Sequence, residues 1–276
     1  MTHSAYAGKS TSTPKLELWR LFGAAFVSVA ISSVASGQAD VQRDQQALAI
    51  LKQTVAAGGG QDMLATIQDL TATGTATYYS DDLLTGSVTI KCRGLHQFKL
   101  EADLSIGKRV LVVNGYGGSL RDENSGTWAI RRQRAIDLGS AILPYLPLIA
   151  ALEDPSISIT YRGLVSHNGG PAYDIRFEKM YTPQQDPSGN RGALEAHDVF
   201  IDPRSWLVVS RLDQLHHGSG GDEGIAHETL YSNYQVISNI VMPLAISETE
   251  EGTTGVTIQL TQVVFNSGLS DSDFNW

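Results

Sequence analysis

The sequence of 276 residues contains a single cysteine, Cys92. One thiol cannot form an intramolecular disulfide, so the fold must be stabilised by packing alone. Cys92 alternates with Val88 and Ile90 in a pattern typical of a strand. No histidine or asparagine stands in a motif-like relation to this thiol, which favours a small buried hydrophobic side chain over a reactive nucleophile.

Basic residues are also scarce, with 20 lysines and arginines against 29 acidic residues. The longest basic run is the pair Arg131-Arg132. An acidic surface without basic clusters repels a phosphate backbone, so nucleic acid is excluded as a partner.

Long apolar runs are missing except at the start of the chain. Lys9, Lys15 and Arg20 precede the uncharged segment 21–39, which ends in small residues. A basic region, an apolar stretch and a small-residue end are the three parts of a secretory signal, with cleavage after Gly37 or Ala39. An uncleaved anchor is the alternative, but the apolar core is short for a span. We therefore expect a signal peptide over 1–39, one domain over 40–276, and a periplasmic or secreted protein.

Two segments have helical periodicity. The first is predicted from a cap at Asp40 to about Ala57, where three glycines stop it. The second spans 136–152, and Pro144 and Pro147 must kink it or split it into two pieces. Its apolar positions at helical spacing are Leu138, Ile142, Leu146 and Ile149.

From Leu70 onward the hydrophobic period changes to two. Val88, Ile90 and Cys92 alternate with polar residues, and later segments repeat the pattern between turn signals. Such alternation is typical of antiparallel strands with one buried face. The predicted fold class is α+β and β-rich, with a strongly curved antiparallel sheet (a half-barrel) of about 11 to 13 strands and helices over its concave face.

This order of elements resembles the LolA/LolB-like superfamily of periplasmic lipoprotein carriers, which includes the outer-membrane lipoprotein-sorting proteins. The stretches that carry the resemblance are ALAILKQTVAAGGGQDMLATIQDLTATGT, RVLVVNGYGGSLRDENSG, LPYLPLIAALEDP and the hairpin-rich tail from HDVFIDPRSWLVVSRLDQ onward. The resemblance implies a half-barrel with a lidded apolar cavity. It also implies a lid arginine, for which Arg131, Arg134 and Arg162 are candidates.

Strand alternation then predicts which side chains form the wall and the lid of such a cavity. The expected wall is Val88, Ile90, Phe98, Leu100, Val110 and Val112, and the expected lid is Leu138, Ile142, Leu146 and Ile149. A void between them would bind an acyl chain by removing apolar area from water.

Histidines provide the best case for catalysis, because His216, His217 and His227 lie close together in the sequence. A zinc site needs three or four converging ligands, whereas neighbours along a strand point to opposite faces, as Glu228 does relative to His227. The pattern therefore favours solvated histidines near a loop, with no metal, no cofactor and no enzymatic activity.

The predicted function is non-catalytic binding or transport of an apolar ligand outside the cytoplasm. The expected partners are a lipid, an acyl chain or a lipidated protein, with transient contact to a membrane face. The alternatives are a structural or regulatory interaction module and, third, a metal-assisted hydrolase built around His216 and His227.

Overall fold

The computed structural model describes residues 41–80, 82–130, 135, 138, 141–215 and 224–275. The chain divides into two units, Met1–Gly37 and Gln38–Trp276, and every described residue belongs to the second. The predicted signal peptide lies outside the described residues, as do Arg131, Arg134, His216 and His217.

Within these ranges, thirteen strands form one sheet in which every neighbouring pair is antiparallel. The strands are β1 Asp69–Tyr79, β2 Leu83–Arg93, β3 Gln97–Leu104, β4 Gly107–Asn114, β5 Gly117–Asp122, β6 Gly126–Ile130, β7 Ile157–His167, β8 Gly170–Lys179, β9 His197–Ile201, β10 Val208–Leu215, β11 Ile225–Ile237, β12 Ile240–Glu250 and β13 Thr253–Phe265. The α-helices whose bounds lie in the described residues are α1 Gln45–Ala57, α2 Gln61–Ala65, α3 Tyr145–Glu153 and α4 Arg191–Leu194, and Ala135 and Leu138 are helical as well. A 3-10 helix, Asp271–Phe274, follows β13.

The sheet is open, in the order β6-β5-β4-β3-β2-β1-β13-β12-β11-β10-β9-β8-β7. Leu95 at the β2–β3 turn and Phe177 of β8 nevertheless line the same cavity. Seven strand spacings of about 4.8 Å would hold these strands more than about 30 Å apart in a flat sheet. The sheet is therefore strongly curved, and the predicted fold class is confirmed.

Bulges contribute to the curvature, because an extra residue bends a strand and increases its twist. The pairing of β1 with β13 shifts between Thr73 and Gly74. A Cβ atom on Gly74 would lie 2.0 Å from the carbonyl oxygen of Gln259, so only glycine permits this close approach of the two strands.

Helices α1 and α3 pack on the concave face and close the core. Helix α1 buries Ala47, Leu51 and Val55 against the sheet and against α3. Helix α3 is buried through Tyr145, Leu148 and Ala151.

Helix α1 begins later than predicted, whereas the second segment is divided as the sequence predicted. Helix α1 begins at Gln45 and not after Asp40, because Asp44 is the cap and its side chain accepts the Gln46 N–H at 2.8 Å. In the second segment Pro144 caps α3 and Pro147 lies in its first turn, where the backbone N–H groups have no intrahelical partner. The two prolines therefore stand at the start of α3, and the segment is split before Tyr145, which is one of the two outcomes predicted for it.

Arg43 ties the entry of α1 to the end of α3. Its guanidinium donates hydrogen bonds to the carbonyl oxygens of Ala151, Leu152 and Asp154 at 3.2, 2.8 and 2.7 Å, and to that of Ile157 at 3.2 Å. The carbonyls of Ala151, Leu152 and Asp154 lie at the end of α3 and have no intrahelical donor, so a cation satisfies both their hydrogen bonding and the helix dipole.

Val110 and Val112 of β4 were predicted to face the concave side of the sheet, but they face the convex side. Leu100 pairs with Leu111, whereas Val110 pairs with Glu101 and Val112 with Lys99. Val110 lines a shallow polar depression with Lys108, on the convex face. The run Val110–Val113 has no alternation to fix its phase, and the two-residue turn after Leu104 sets the register instead. Val110 and Val112 are therefore not wall residues.

Candidate ligand-binding cavities

Two apolar cavities lie between the concave face and the covering segment, by which we mean Leu138 and residues 141–153. The first, called the β3 cavity here, has a volume of about 250 Å³. Leu138, Ala141 and Ile142 of the covering segment line it from above. The sheet contributes Ile90, Phe98, Leu100, Leu111, Leu120, Ile130, Ile246, Val256 and Ile258, together with the polar residues Tyr78, Arg109 and Glu248.

The second, called the β8 cavity, has a volume of about 200 Å³. The covering segment lines it through Pro144, Pro147, Leu148, Ala150 and Ala151. The sheet and its loops contribute Leu95, Ile157, Phe177, Val199, Val208 and Tyr231, with Glu178, Lys179, Glu195, His197 and Arg211 as polar residues.

The structure brings five of the ten predicted wall and lid residues together. Ile90, Phe98 and Leu100 face Leu138 and Ile142 in the β3 cavity. Val88 is buried in the surrounding core, and Ile149 is partly buried against it. Leu146 contributes to a small crevice beside Cys92. As a ligand-binding set these residues remain a prediction.

The β8 cavity was missed at the sequence level, although its signal is present. Ile175 and Phe177 alternate in β8, and His197, Val199 and Ile201 alternate in β9. These strands carry the same period-two pattern as β2 and β3. The pattern does not show that the curvature of the sheet brings β8 and β9 under helix α3.

His197 is a neutral side chain in the wall of the β8 cavity. Its ring stacks on Phe177 with a centroid distance of 5.1 Å. Burial lowers the pKa of His197 to about 3, and the nearby Arg211 guanidinium adds to this effect. The imidazole therefore contributes an uncharged surface at physiological pH.

Tyr78 and Arg109 form the polar corner of the β3 cavity. The Arg109 guanidinium lies 4.6 Å from the centre of the Tyr78 ring and pairs with Asp122 at 2.9 Å. Burial raises the pKa of the Tyr78 hydroxyl despite the opposing effect of Arg109. The tyrosine therefore remains protonated and can donate a hydrogen bond.

A row of ionisable side chains crosses the concave face between the cavities, and we call Arg211, Asp213, His227 and Glu248 the polar row. His227 Nδ1 lies 3.0 Å from Asp213 Oδ1, and His227 Nε2 lies 3.8 Å from Glu248 Oε2. Arg211 lies 3.9 Å from Asp213. His227 is only 1% exposed, so the prediction of a solvated histidine is wrong. It failed because His227 lies on the buried side of β11, the side that also carries Thr229 and Tyr231.

Catalytic arrangements are not supported among the described residues. No group of three His, Cys, Asp or Glu side chains there is placed to hold a metal ion. On the convex face Ser210 Oγ and Glu228 Oε1 lie 2.9 and 2.6 Å from the same nitrogen of His167, Nε2. A triad needs the acid and the nucleophile on different ring nitrogens, so this cluster cannot relay a proton from serine to glutamate.

Comparisons with known proteins support the fold. No family model and no curated protein matches the sequence. A LolA superfamily protein from Nitrosomonas europaea aligns with a TM-score of 0.52 at 8% identity, over 82% of this chain and 96% of that chain. A DUF1329 family protein from Desulfovibrio piger aligns with a TM-score of 0.51 at 12% identity, over 85% and 98%. The resemblance to the LolA-like superfamily is therefore confirmed for the fold.

Proposed function

We propose that the protein is a non-catalytic carrier that binds an apolar ligand outside the cytoplasm. The ligand class is a lipid, an acyl chain or a lipidated protein. The observation that carries this proposal is the pair of apolar cavities between the concave face and the covering segment. In a solid core, side chains of the sheet and the helices would fill this space at the density of an organic crystal.

The energy for binding comes from apolar area removed from water. Each buried methylene contributes about 0.8 kcal/mol, so about eight methylenes contribute about 6 kcal/mol before the costs of ordering. Ile90, Phe98 and Leu100 form the proposed wall of the β3 cavity, and Leu138 and Ile142 form the proposed lid. Apolar contacts of this kind do not select a reaction, which agrees with a carrier.

Among the described residues, no helix has the length and apolarity to cross a membrane. Export is proposed from the basic and apolar segments before residue 40. Expressed in a Gram-negative host, the protein should be recovered from the periplasm or medium without its first 37 or 39 residues. Native mass spectrometry of that material should also show bound lipid, released on denaturation. A mass that includes Met1 would contradict export, and a ligand-free spectrum would count against the carrier.

Transient membrane contact is proposed at the sheet end beside the β3 cavity. Tyr79, Leu83 and Ile106 are 47%, 65% and 47% exposed on the adjoining β1–β2 and β3–β4 hairpins. Exposed apolar side chains on neighbouring turns are suited to insertion at a lipid interface.

We expect the double substitution of Leu83 and Ile106 by serine to reduce co-sedimentation with phosphatidylglycerol-containing vesicles severalfold. Val236 is 69% exposed at the opposite end of the sheet, so Val236→Ser is a matched control that should sediment like the wild type. Equal sedimentation of all three proteins would exclude this end of the sheet as the contact.

A further inference from the structure

The two edges of the sheet differ in how they are protected. Strand β7 is covered at one end, because the Ile159 N–H donates to the Gln42 carbonyl oxygen at 2.7 Å and the Asp44 N–H donates to the Ile159 carbonyl oxygen at 2.9 Å. Farther along β7, the pairing with β8 shifts between Tyr161 and Gly163. Covered backbone groups and bulges both prevent an edge strand from pairing with another chain. The β7 edge is therefore protected.

Strand β6, at the opposite edge, has neither of these features within the described part of the chain. It pairs with β5 in an unshifted register, and its sequence GTWAI contains no charge and no proline. Five residues are an ordinary strand length, and the first four, from Gly126 to Ala129, are exposed. An edge strand presents a row of N–H and C=O groups that pair with no neighbour, and such a row is a template for a further strand.

A row of apolar side chains crosses the concave face and ends at this edge. Leu100 pairs with Leu111 of β4, which pairs with Leu120 of β5. Leu120 in turn pairs with Trp128 of β6. Leu100 is 5% exposed, whereas Trp128, at the end of the row, is 46% exposed. Apolar and aromatic cross-strand pairs stabilise a sheet, so an apolar side chain from a further strand would continue the row beyond Trp128.

A second copy of β6 fits this edge in backbone direction, in side chains and in charge. Two β6 strands related by a two-fold axis at Trp128 form an antiparallel junction, like the junction of β6 with β5. The two Trp128 side chains then lie opposite each other, and Thr127 of each copy lies opposite Ala129 of the other. The chain carries a net charge of -9, but β6 is neutral, so the strands meet without like charges opposite one another.

We propose that β6 is a dimerisation edge, at which two copies of this chain join their sheets through an antiparallel β6–β6 junction centred on Trp128. Because the axis is two-fold and the β7 edge is protected, the assembly closes at two copies and does not extend into a fibre. Two five-residue edges bury less area than a standard protein interface, so the dimer is weak and reversible. The inference does not depend on what the concave face binds.

Sedimentation equilibrium between about 1 μM and about 1 mM protein tests the assembly. The wild type should form a dimer and no larger species. Trp128→Glu places two carboxylates at the two-fold axis and should weaken the dimer at least about tenfold. Leu164→Glu is the matched control, because Leu164 is 58% exposed on the protected edge strand, and this variant should dimerise like the wild type. Circular dichroism checks the fold, and Trp128→Thr replaces Trp128→Glu if the latter does not fold.

Cysteine crosslinking tests the register and leaves Trp128 in place. Thr127→Cys and Ala129→Cys proteins are mixed and equilibrated with oxidised glutathione. Residues directly opposite each other lie close enough for a disulfide, whereas diagonal neighbours, about 7–8 Å apart, do not. The mixture should therefore form a disulfide-linked dimer severalfold faster than either variant alone. Cys92 is buried and should not react.

A wild type that stays monomeric up to about 1 mM overturns the inference, even if it binds a strand-forming peptide at Trp128, because the edge would then serve another chain. A dimer that Trp128→Glu leaves undiminished overturns it as well. Crosslinking of either cysteine variant alone as fast as the mixture would contradict the register. Species larger than a dimer would contradict the closed two-fold junction.

Discussion

Replacing Leu100 by lysine should lower the affinity for a fluorescent diacyl lipid at least about tenfold while the domain remains folded. Leu100 is 5% exposed and lines the β3 cavity between its pairing partners Ile90 and Leu111. An ammonium group there makes the cavity unfavourable for a methylene chain. The cavity of about 250 Å³ gives the longer side chain room, so folding is retained.

The matched control is Val110→Lys, one strand away. Val110 lies on the convex face between Glu101 and Arg121, where a lysine remains in contact with water. Lipid affinity should therefore be that of the wild type. Lipid titration and circular dichroism of both variants check the prediction. If Leu100→Lys does not fold, and the wild type takes up no lipid, the concavity is solid core and the interaction-module alternative gains support.

Replacing Arg43 by alanine should lower the free energy of unfolding by about 3 kcal/mol. A hydrogen bond to a charged group contributes about 1.5–3 kcal/mol, and this guanidinium donates to four carbonyl oxygens. Its loss leaves the carbonyl oxygens of Ala151 and Leu152 without this donor and loosens the cover of the β8 cavity. Lysine should restore only part of the stability, because a single ammonium cannot reproduce the planar fork.

Urea unfolding of Arg43→Ala, Arg43→Lys and Arg204→Ala measures this effect. Arg204 is exposed in the turn between β9 and β10, so its removal should change stability by less than about 0.5 kcal/mol. Equal unfolding midpoints for the three variants would show that the Arg43 hydrogen bonds do not stabilise α3.

The anchoring role of Arg43 could not be predicted from the sequence. The resemblance to the LolA-like superfamily implied a lid arginine, with Arg131, Arg134 and Arg162 as the candidates. Arg162 is half-exposed on the convex face near Asp198, and the other two lie outside the described residues. Arg43 contacts carbonyls more than 100 positions later, and no local pattern reports such a pairing.

Local patterns predicted most of the strands of the sheet. Where polar and apolar residues strictly alternate, the pattern determines which side chains face the core. The strands β2 and β3 are of this kind, and their inward residues were predicted correctly. The segment Val110–Val113 has no such alternation. Which of its side chains face the core therefore depends on the turn after Leu104, whose length the sequence pattern did not specify. Val112 is nevertheless buried, since the C-terminal 3-10 helix with Phe274 packs against β3 and β4 on the convex side.

Of the two cavities, only the β3 cavity could be predicted from local sequence patterns. The β3 cavity uses neighbouring hairpins and a segment with helical spacing, so the sequence identified its main residues. The β8 cavity and the polar row depend on how far the sheet curves. Curvature arises from bulges such as the one at Gly74, and these are visible only in the pairing of the strands.

The carrier function requires that the concave face binds a ligand and is not a filled core. Equilibrium titration of the delipidated wild-type protein with a fluorescent diacyl lipid, below the concentration at which the lipid aggregates, measures this binding. The cavities predict saturable uptake that unlabelled lipid competes away. A fluorescence signal that stays at the level of the free probe throughout the titration would contradict the carrier function.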